Sequence, residues 1–186
     1  GRRFTVSGEG YADQGEISSD GSVQSLRKFL LPMVLCTESR VREGKLVGNP
    51  TEGALWVLAQ KGGIDPEYEQ AEQPRIAEIP FDSRRKRMAT VHLADGGRIA
   101  YAKGAVAEIL ARSTASAEVG SAAREVAERM ERAALRVLAI ARRRLPDDGS
   151  LEPDDVERDL ELLGIVGMLD PPRPEVAGAV ASCRAA

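Results

Sequence analysis

The chain has 186 residues, enough for one domain with a substantial core, or for one domain and part of another. Its 26 Lys and Arg against 29 Asp and Glu leave a net charge of −3, so no broad positive field draws it to nucleic acid. The longest apolar run, Phe29 to Cys36, is interrupted by Pro32 and falls well short of the roughly 20 residues that cross a bilayer.

In chain order, residues 2–7 alternate around Phe4 and Val6 and read as a strand ending at Gly8 and Gly10, and 15–22 is loop-like. Apolar residues at Leu26, Phe29, Leu30, Met33 and Val34 predict a helix over 23–37, and 40–47 reads as a polar connection. Asn49-Pro50-Thr51-Glu52 supplies an N-cap, a proline in the first turn and a carboxylate three residues after the cap, an analogue of the capping box. It launches a helix through Lys61 that Gly62-Gly63 stops. Residues 75–81 are a strand candidate. Val106 to Arg112 reads as a short helix, 113–121 as a loop and 122–134 as an amphipathic helix on Val126, Met130 and Ala133. For 135–142 (LRVLAIAR) periodicity allows a continuing helix or an alternating strand. An acidic loop over 145–159 leads to the apolar run 160–169, consistent with a strand buried on both faces. Asp170 to Pro174 then breaks the chain, and a small-residue helix begins near Glu175.

The most informative stretch lies between. Arg87 to Ala94 and Gly97 to Lys103 are β-prone runs joined by Asp95-Gly96, a strong hairpin turn signal. Pairing Ala94 with Gly97 sets Met88 opposite Lys103 and Lys86 opposite Ala105, with Lys86, Met88 and Lys103 on one face. Two ammonium groups are thereby expected at the open end of the hairpin, with Phe81 just before it. An aromatic face, converging cations and a glycine allowing close backbone approach are what a nucleotide needs. His92, the single histidine, and Trp56 are expected to be structural. Cys36 and Cys183 lie far apart in apolar or helical contexts, which favours a reducing setting over a disulfide or metal site. The opening on Gly1, without a signal-peptide pattern, and the end at Ala186 are those expected of a segment of a longer chain.

Five segments in order, GNPTEGAL (48–55), FDSRRKRM (81–88), YAKGA (101–105), ALRVLAIA (134–141) and LLGIVGMLDPPRPEV (162–176), resemble the cytoplasmic nucleotide-binding domain of type II P-type cation-transporting ATPases. The calcium-pump-like branch is the nearest likeness, and VSGEGYADQGEI (6–17) and LCTES (35–39) are similar to family segments as well. The resemblance implies an α+β fold: a mostly antiparallel twisted sheet of about six strands flanked by helices. It implies a nucleotide-binding domain over 1–165, and a return hinge with the start of a phosphorylation domain over 166–186.

The same resemblance implies a site. Phe81 matches the aromatic that stacks on adenine, Lys86 and Lys103 the two nucleotide-site lysines, and Gly104 lies beside the second. Glu52 matches the glutamate that accepts from the adenine amino group, with Thr51 next to it. Arg136 matches the arginine reaching toward the β-phosphate. Two departures stand out. Ser83 occupies a position where some calcium pumps carry arginine, and Ala133-Ala134 replace the glycine that commonly ends the preceding helix, leaving the direction of Arg136 open. Asp170, Pro171, Pro172 and Arg173 resemble the hinge. ATP is the implied ligand, with Mg²⁺ in the full-length parent. The implied partners are the phosphorylation, actuator and transmembrane domains of that parent, a membrane protein whose cytoplasmic part this would be. The DKTGT aspartate of the family is absent here, so no catalytic residue is expected; no metal ligand or nucleic-acid contact is expected either, and the isolated fragment is expected to be monomeric.

Each residue has a plainer reading. Phe81 would be core, the lysines solvated hairpin ends, Glu52 a cap for its own helix, Gly104 a turn glycine, and Asp170 to Pro174 a polyproline ligand. Two rival functions follow. A freestanding kinase or phosphatase finds no GxxxxGK loop to support it. A regulatory domain that keeps the fold without the nucleotide is the other.

Overall fold

The proline-led N-caps, the turn glycines and the alternating runs organise the chain into short helices around one antiparallel sheet. The computed structural model describes residues 2–11, 14–19, 26–42, 44–94, 96–169, 176, 182 and 183. The expected hinge residues Asp170, Pro171, Pro172 and Arg173, and the turn residue Asp95, lie outside them.

In order, the elements are β1 (Phe4–Val6), β2 (Ile17–Ser19), α1 (Arg27–Leu35), β3 (Arg40–Arg42), β4 (Lys45–Val47), α2 (Pro50–Lys61), α3 (Pro66–Glu72) and β5 (Arg75–Asp82). There follow β6 (Arg87–Ala94), β7 (Gly97–Gly104), α4 (Val106–Leu110), α5 (Ala117–Arg132), β8 (Arg136–Leu145), α6 (Pro153–Val156) and β9 (Glu161–Met168). Strands β5-β6-β7-β8-β9 form a five-stranded sheet in simple sequence order, every neighbouring pair antiparallel. Two small ribbons, β1-β2 and β3-β4, stand apart from it. The expected α+β architecture holds, with five strands in the central sheet. β9 runs on to Met168, three residues past the boundary expected after 165.

The β6-β7 register is the expected one: Ala94 pairs with Gly97 and Met88 with Lys103. LRVLAIAR is strand, not helix, and forms most of β8. Three expectations need correction. The loop-like 15–22 contains β2, and the polar connection 40–47 contains β3 and β4. Strands of three residues carry too little alternation to be seen. Helix α5 begins at Ala117, within the expected loop, because the Ser116 hydroxyl caps the Val119 amide at 3.3 Å.

Both faces of the sheet are buried. On one, α1 and α2 pack with Met88, Ile99, Tyr101, Ile140 and Val166. On the other, α4 and α5 pack with Ile79, Val91 and a carpet of alanines, among them Ala89, Ala100, Ala102, Ala139 and Ala141. No helix among the described residues is long and apolar enough to cross a membrane.

Candidate functional site

Helix α2 owes its start to Asn49, whose side chain accepts from the Thr51 amide at 2.9 Å, with Pro50 in the first turn. Glu52 therefore does not cap its own helix, contrary to the plainer reading. Its Oε1 accepts from Lys103 Nζ at 2.7 Å. Its Oε2 accepts from Ser39 Oγ at 2.7 Å and from the Glu38 amide at 3.1 Å. Burial works against ionisation of Glu52, but the Lys103 charge, with hydrogen bonds from Lys103, Ser39 and Glu38, holds its carboxyl below the usual range. Ser39 had no assigned role in the sequence although LCTES pointed to its segment. It also accepts from the Asn49 amide at 2.8 Å, and so ties the start of α2 to the turn after α1. Gly48 makes this possible: at φ 124° it adopts a conformation other residues avoid, and a Cβ there would lie 2.2 Å from Ser39 Oγ.

Lys103 is buried on the α2 face of the sheet, across from Met88. The same face receives Ile140 from β8, which pairs with Lys103. Arg136 lies four residues earlier on that strand, hence on the same side. Its Nη1 donates to Thr51 Oγ1 at 2.6 Å. The missing glycine does not misdirect it, because Ala134 itself takes the left-handed conformation (φ 58°) that ends α5. The Ala134 amide donates to the Glu131 carbonyl and the Leu135 amide to that of Met130, the two bonds of a Schellman cap.

Phe81 reaches this face through a bulge. Ile79 pairs with Ala89 and looks toward α4 and α5, and continued alternation would send Phe81 the same way. The register instead shifts between Ile79 and Asp82, and Asp82 pairs with Arg87. The inserted residue turns Phe81 toward the Lys103 side. Its ring is 63% exposed, so it is not core.

Lys86 departs from expectation. It lies in the turn between β5 and β6 with φ 51°, so strand alternation does not carry it onto the face of Met88 and Lys103. It is exposed, and its peptide is fixed by the Asp82 carbonyl at 2.6 Å and the Ala105 amide at 2.9 Å. Ser83 is exposed in the same turn. The basic run does not converge as a unit. Arg84 is fully solvated at one end, whereas Arg85 and Arg87 turn to the opposite face and bind the buried Glu157. Gly104 is buried on that opposite face. A Cβ there would sit 2.5 Å from Arg87 Cβ and from the Lys86 carbonyl, so the chain itself takes up the close approach.

At the edge of the site the Glu38 and Glu78 carboxyls interact. The hydrogen bond from one carboxyl to the other pushes Glu38 up and Glu78 down. No group of three or more His, Cys, Asp or Glu among the described residues is arranged to hold a metal. A hollow of about 380 Å³ lined by Arg40, Trp56, Gln60, Asp65 and Gln70 contains none of the expected site residues. The arrangement thus joins an exposed aromatic ring, a buried lysine–glutamate pair and an arginine parked on a neutral hydroxyl along one side of the sheet.

Compared with protein families, residues 25–175 match the model described as P-type ATPase, cytoplasmic domain N. The chain belongs to this family. Among relatives, cation-transporting ATPase pma1 of Synechocystis sp. is 36% identical over 208 residues, covering 98% of this chain and 23% of the relative. A calcium-transporting ATPase of Bacillus subtilis is 35% identical, covering 100% and 23%. Calcium-transporting ATPase 1 of Bacillus cereus is 35% identical, covering 86% and 19%. This N domain thus spans about a quarter or less of the length of the relatives it matches, which are named as calcium or cation transporters.

Proposed function

We propose that this N domain binds ATP on the α2 face of its sheet and presents the γ-phosphate to an aspartate elsewhere in its parent chain. The observation that carries the reading is the exposed Phe81 ring, turned by a bulge to the side on which Lys103 is buried and Arg136 is held. The ring offers adenine a stacking surface worth roughly 1–3 kcal/mol per base. Lys103, fixed by Glu52, supplies a cation that needs no ordering on binding, and the Glu52 oxygens are acceptors within the same pair. Exposed Lys86 and Ser83 lie in the turn that follows the ring, and the close approach at Gly104 holds that turn. Thr51 presents Arg136, whose guanidinium exchanges a neutral hydroxyl for a charged phosphate oxygen, roughly doubling the strength of the hydrogen bond.

In the parent the domain would work with phosphorylation, actuator and transmembrane domains and with Mg²⁺, and would drive transport of a cation, calcium by the names of its relatives. Asp170, Pro171, Pro172 and Arg173 would form the return hinge, with the domain border near residues 165 and 166. Because the DKTGT aspartate lies outside this chain, the domain alone would bind ATP without turning it over.

The nucleotide-independent reading has one observation in its favour: Lys103 and Arg136 already have protein partners. An ATP titration followed by amide chemical shifts separates the two. The expected dissociation constant is on the order of 0.1 to several mM, with shifts at Phe81, Lys86 and Lys103. Silence of those three amides at about 10 mM ATP would exclude the binding reading.

A further inference from the structure

We propose that Arg85, braced on Glu157, is a positioning residue for the nucleotide: it fixes the loop carrying Phe81 and Lys86 without touching the ligand. The inference rests on the ATP-binding reading above and assigns to that site a support from the other side of the sheet.

The guanidinium of Arg85 holds two things at once. Its Nη2 donates to the Pro80 carbonyl at 2.7 Å, immediately before Phe81, and its Nη1 bonds Glu157 Oε1. One side chain thereby ties the backbone leading into the ring to the backbone leading into Lys86. Asp82 closes the same loop from inside, its Oδ1 accepting from the Arg84 amide at 2.8 Å and the Arg85 amide at 2.9 Å. Those two amides, Arg85 first, hold the Asp82 carboxyl below its usual range.

Glu157 is the fixed end of the strut. It is fully buried at the end of α6, between the equally buried Val156 and Leu160. Arg143 anchors the segment further by its ion pair with Asp159 at 3.6 Å. A carboxylate in such surroundings is tolerable only when paired and hydrogen-bonded. Arg87 supplies the second pair, its Nε on Glu157 Oε2 at 2.8 Å, and its Nη1 reaches the Arg85 carbonyl at 3.2 Å. Burial of Glu157 therefore commits both guanidiniums to the face opposite Lys103. That leaves Lys86, between them in sequence, in its left-handed conformation and directed to solvent. A non-glycine residue held at positive φ persists only where its surroundings over-determine it. Phe81, being exposed, has little packing of its own to set its place; its position is that of its backbone.

The test titrates wild-type and Arg85→Gln domains with adenosine and with ATP, and measures amide exchange without nucleotide. In Arg85→Gln, amides 82–87 should exchange faster while those of α2 stay unchanged. Adenosine and ATP should weaken by the same factor, on the order of fivefold. Added to Phe81→Ala, Arg85→Gln should cause no further loss for adenosine. The solvated Arg84, changed to Gln, should leave both affinities alone. A loss for ATP with adenosine unaffected would make Arg85 a phosphate ligand and overturn the assignment. Unchanged affinity for both ligands, or full additivity with Phe81→Ala, would overturn it too. If Arg85→Gln fails to fold, Arg85→Lys keeps a charge on Glu157 but lacks the second arm to Pro80, and carries the same expectations. A wild-type domain that binds neither ligand would instead sink the ATP-binding reading, and this assignment with it.

Discussion

The two faces of the central sheet are built from different chemistry. Toward α1 and α2 the strands present Met88, Thr90, His92, Tyr101 and Lys103, large or polar side chains whose polar atoms are bonded to helix ends and loops. Toward α4 and α5 they present alanines, and the fully buried Glu157 there is neutralised by two arginines. Small residues let helices pack close to the strands and leave little freedom, so the alanine face serves as the frame. The polar face keeps groups that can change partners. The proposed nucleotide site is on the polar face, and the loop that carries its exposed ring is tied to the alanine face through Arg85 and Glu157.

The largest expected effect breaks the frame. Glu157→Ala leaves Arg87, itself buried, without its counter-charge, and should cost about 3–5 kcal/mol in urea unfolding. A cost below about 1 kcal/mol would mean that water reaches Arg87 and that the two faces are less distinct than the burial indicates.

Smaller losses should follow on the polar face, in binding rather than in folding. Phe81→Ala should weaken AMP and ATP alike by roughly 1–3 kcal/mol, with stability nearly unchanged because the ring is exposed. Arg136→Ala should weaken ATP more than AMP, since among the described residues its partner is the neutral Thr51 hydroxyl. Isothermal titration with both ligands gives the comparison; equal losses in the arginine variant would remove its phosphate role.

The polar face also carries a pH dependence. His92 donates from Nδ1 to the Gln73 carbonyl at 2.8 Å, and its Nε2 lies 3.0 Å from the Thr90 hydroxyl. Burial of the ring holds its pKa below the ordinary value, outweighing the hydrogen bond to Gln73. A depressed folded value means that the unfolded chain binds the proton more readily. The contribution is present above the ordinary histidine pKa and is lost as pH falls below about 6.5 toward the folded value. Urea midpoints between pH 7.5 and 5 should therefore fall in wild type, and fall less in His92→Gln. Parallel slopes would assign the acid sensitivity to other groups.

Much of this division was legible beforehand, for specific reasons. The β6-β7 register followed from one turn and the period of two, and α2 from Asn49-Pro50. An equivalent signal at Asp65-Pro66, where Asp65 Oδ1 caps the Glu67 and Tyr68 amides, marks the start of α3. Phe81 was legible as a residue, but its direction was not, because a bulge changes alternation without leaving a mark in composition. The fate of the basic run was hidden as well. Whether Arg85 and Arg87 face solvent depends on Glu157, 70 residues or more away in sequence, and no local pattern reports such a partner. For Glu52 the local pattern misled: the capping spacing was present, but Lys103 and Ser39 supply stronger partners than the helix's own amide.

The smallest expected effect concerns a position where the sequence lacks the glycine its backbone conformation favours. Ala134 sits at φ 58° and completes the cap of α5 directly before β8. Glycine adopts this conformation without the Cβ penalty, yet it also has more freedom to lose when the chain folds. At positive φ the first effect outweighs the second, so Ala134→Gly should raise stability by about 0.4–1 kcal/mol. Both cap bonds are made by backbone, so they persist in the variant, and the start of β8 with Arg136 should stay where it is. ATP affinity should then match wild type while the urea midpoint rises. Such a result would show that strain at the helix end is separable from the site it borders; a fall in stability would show that the alanine methyl packs to more advantage than its conformation costs.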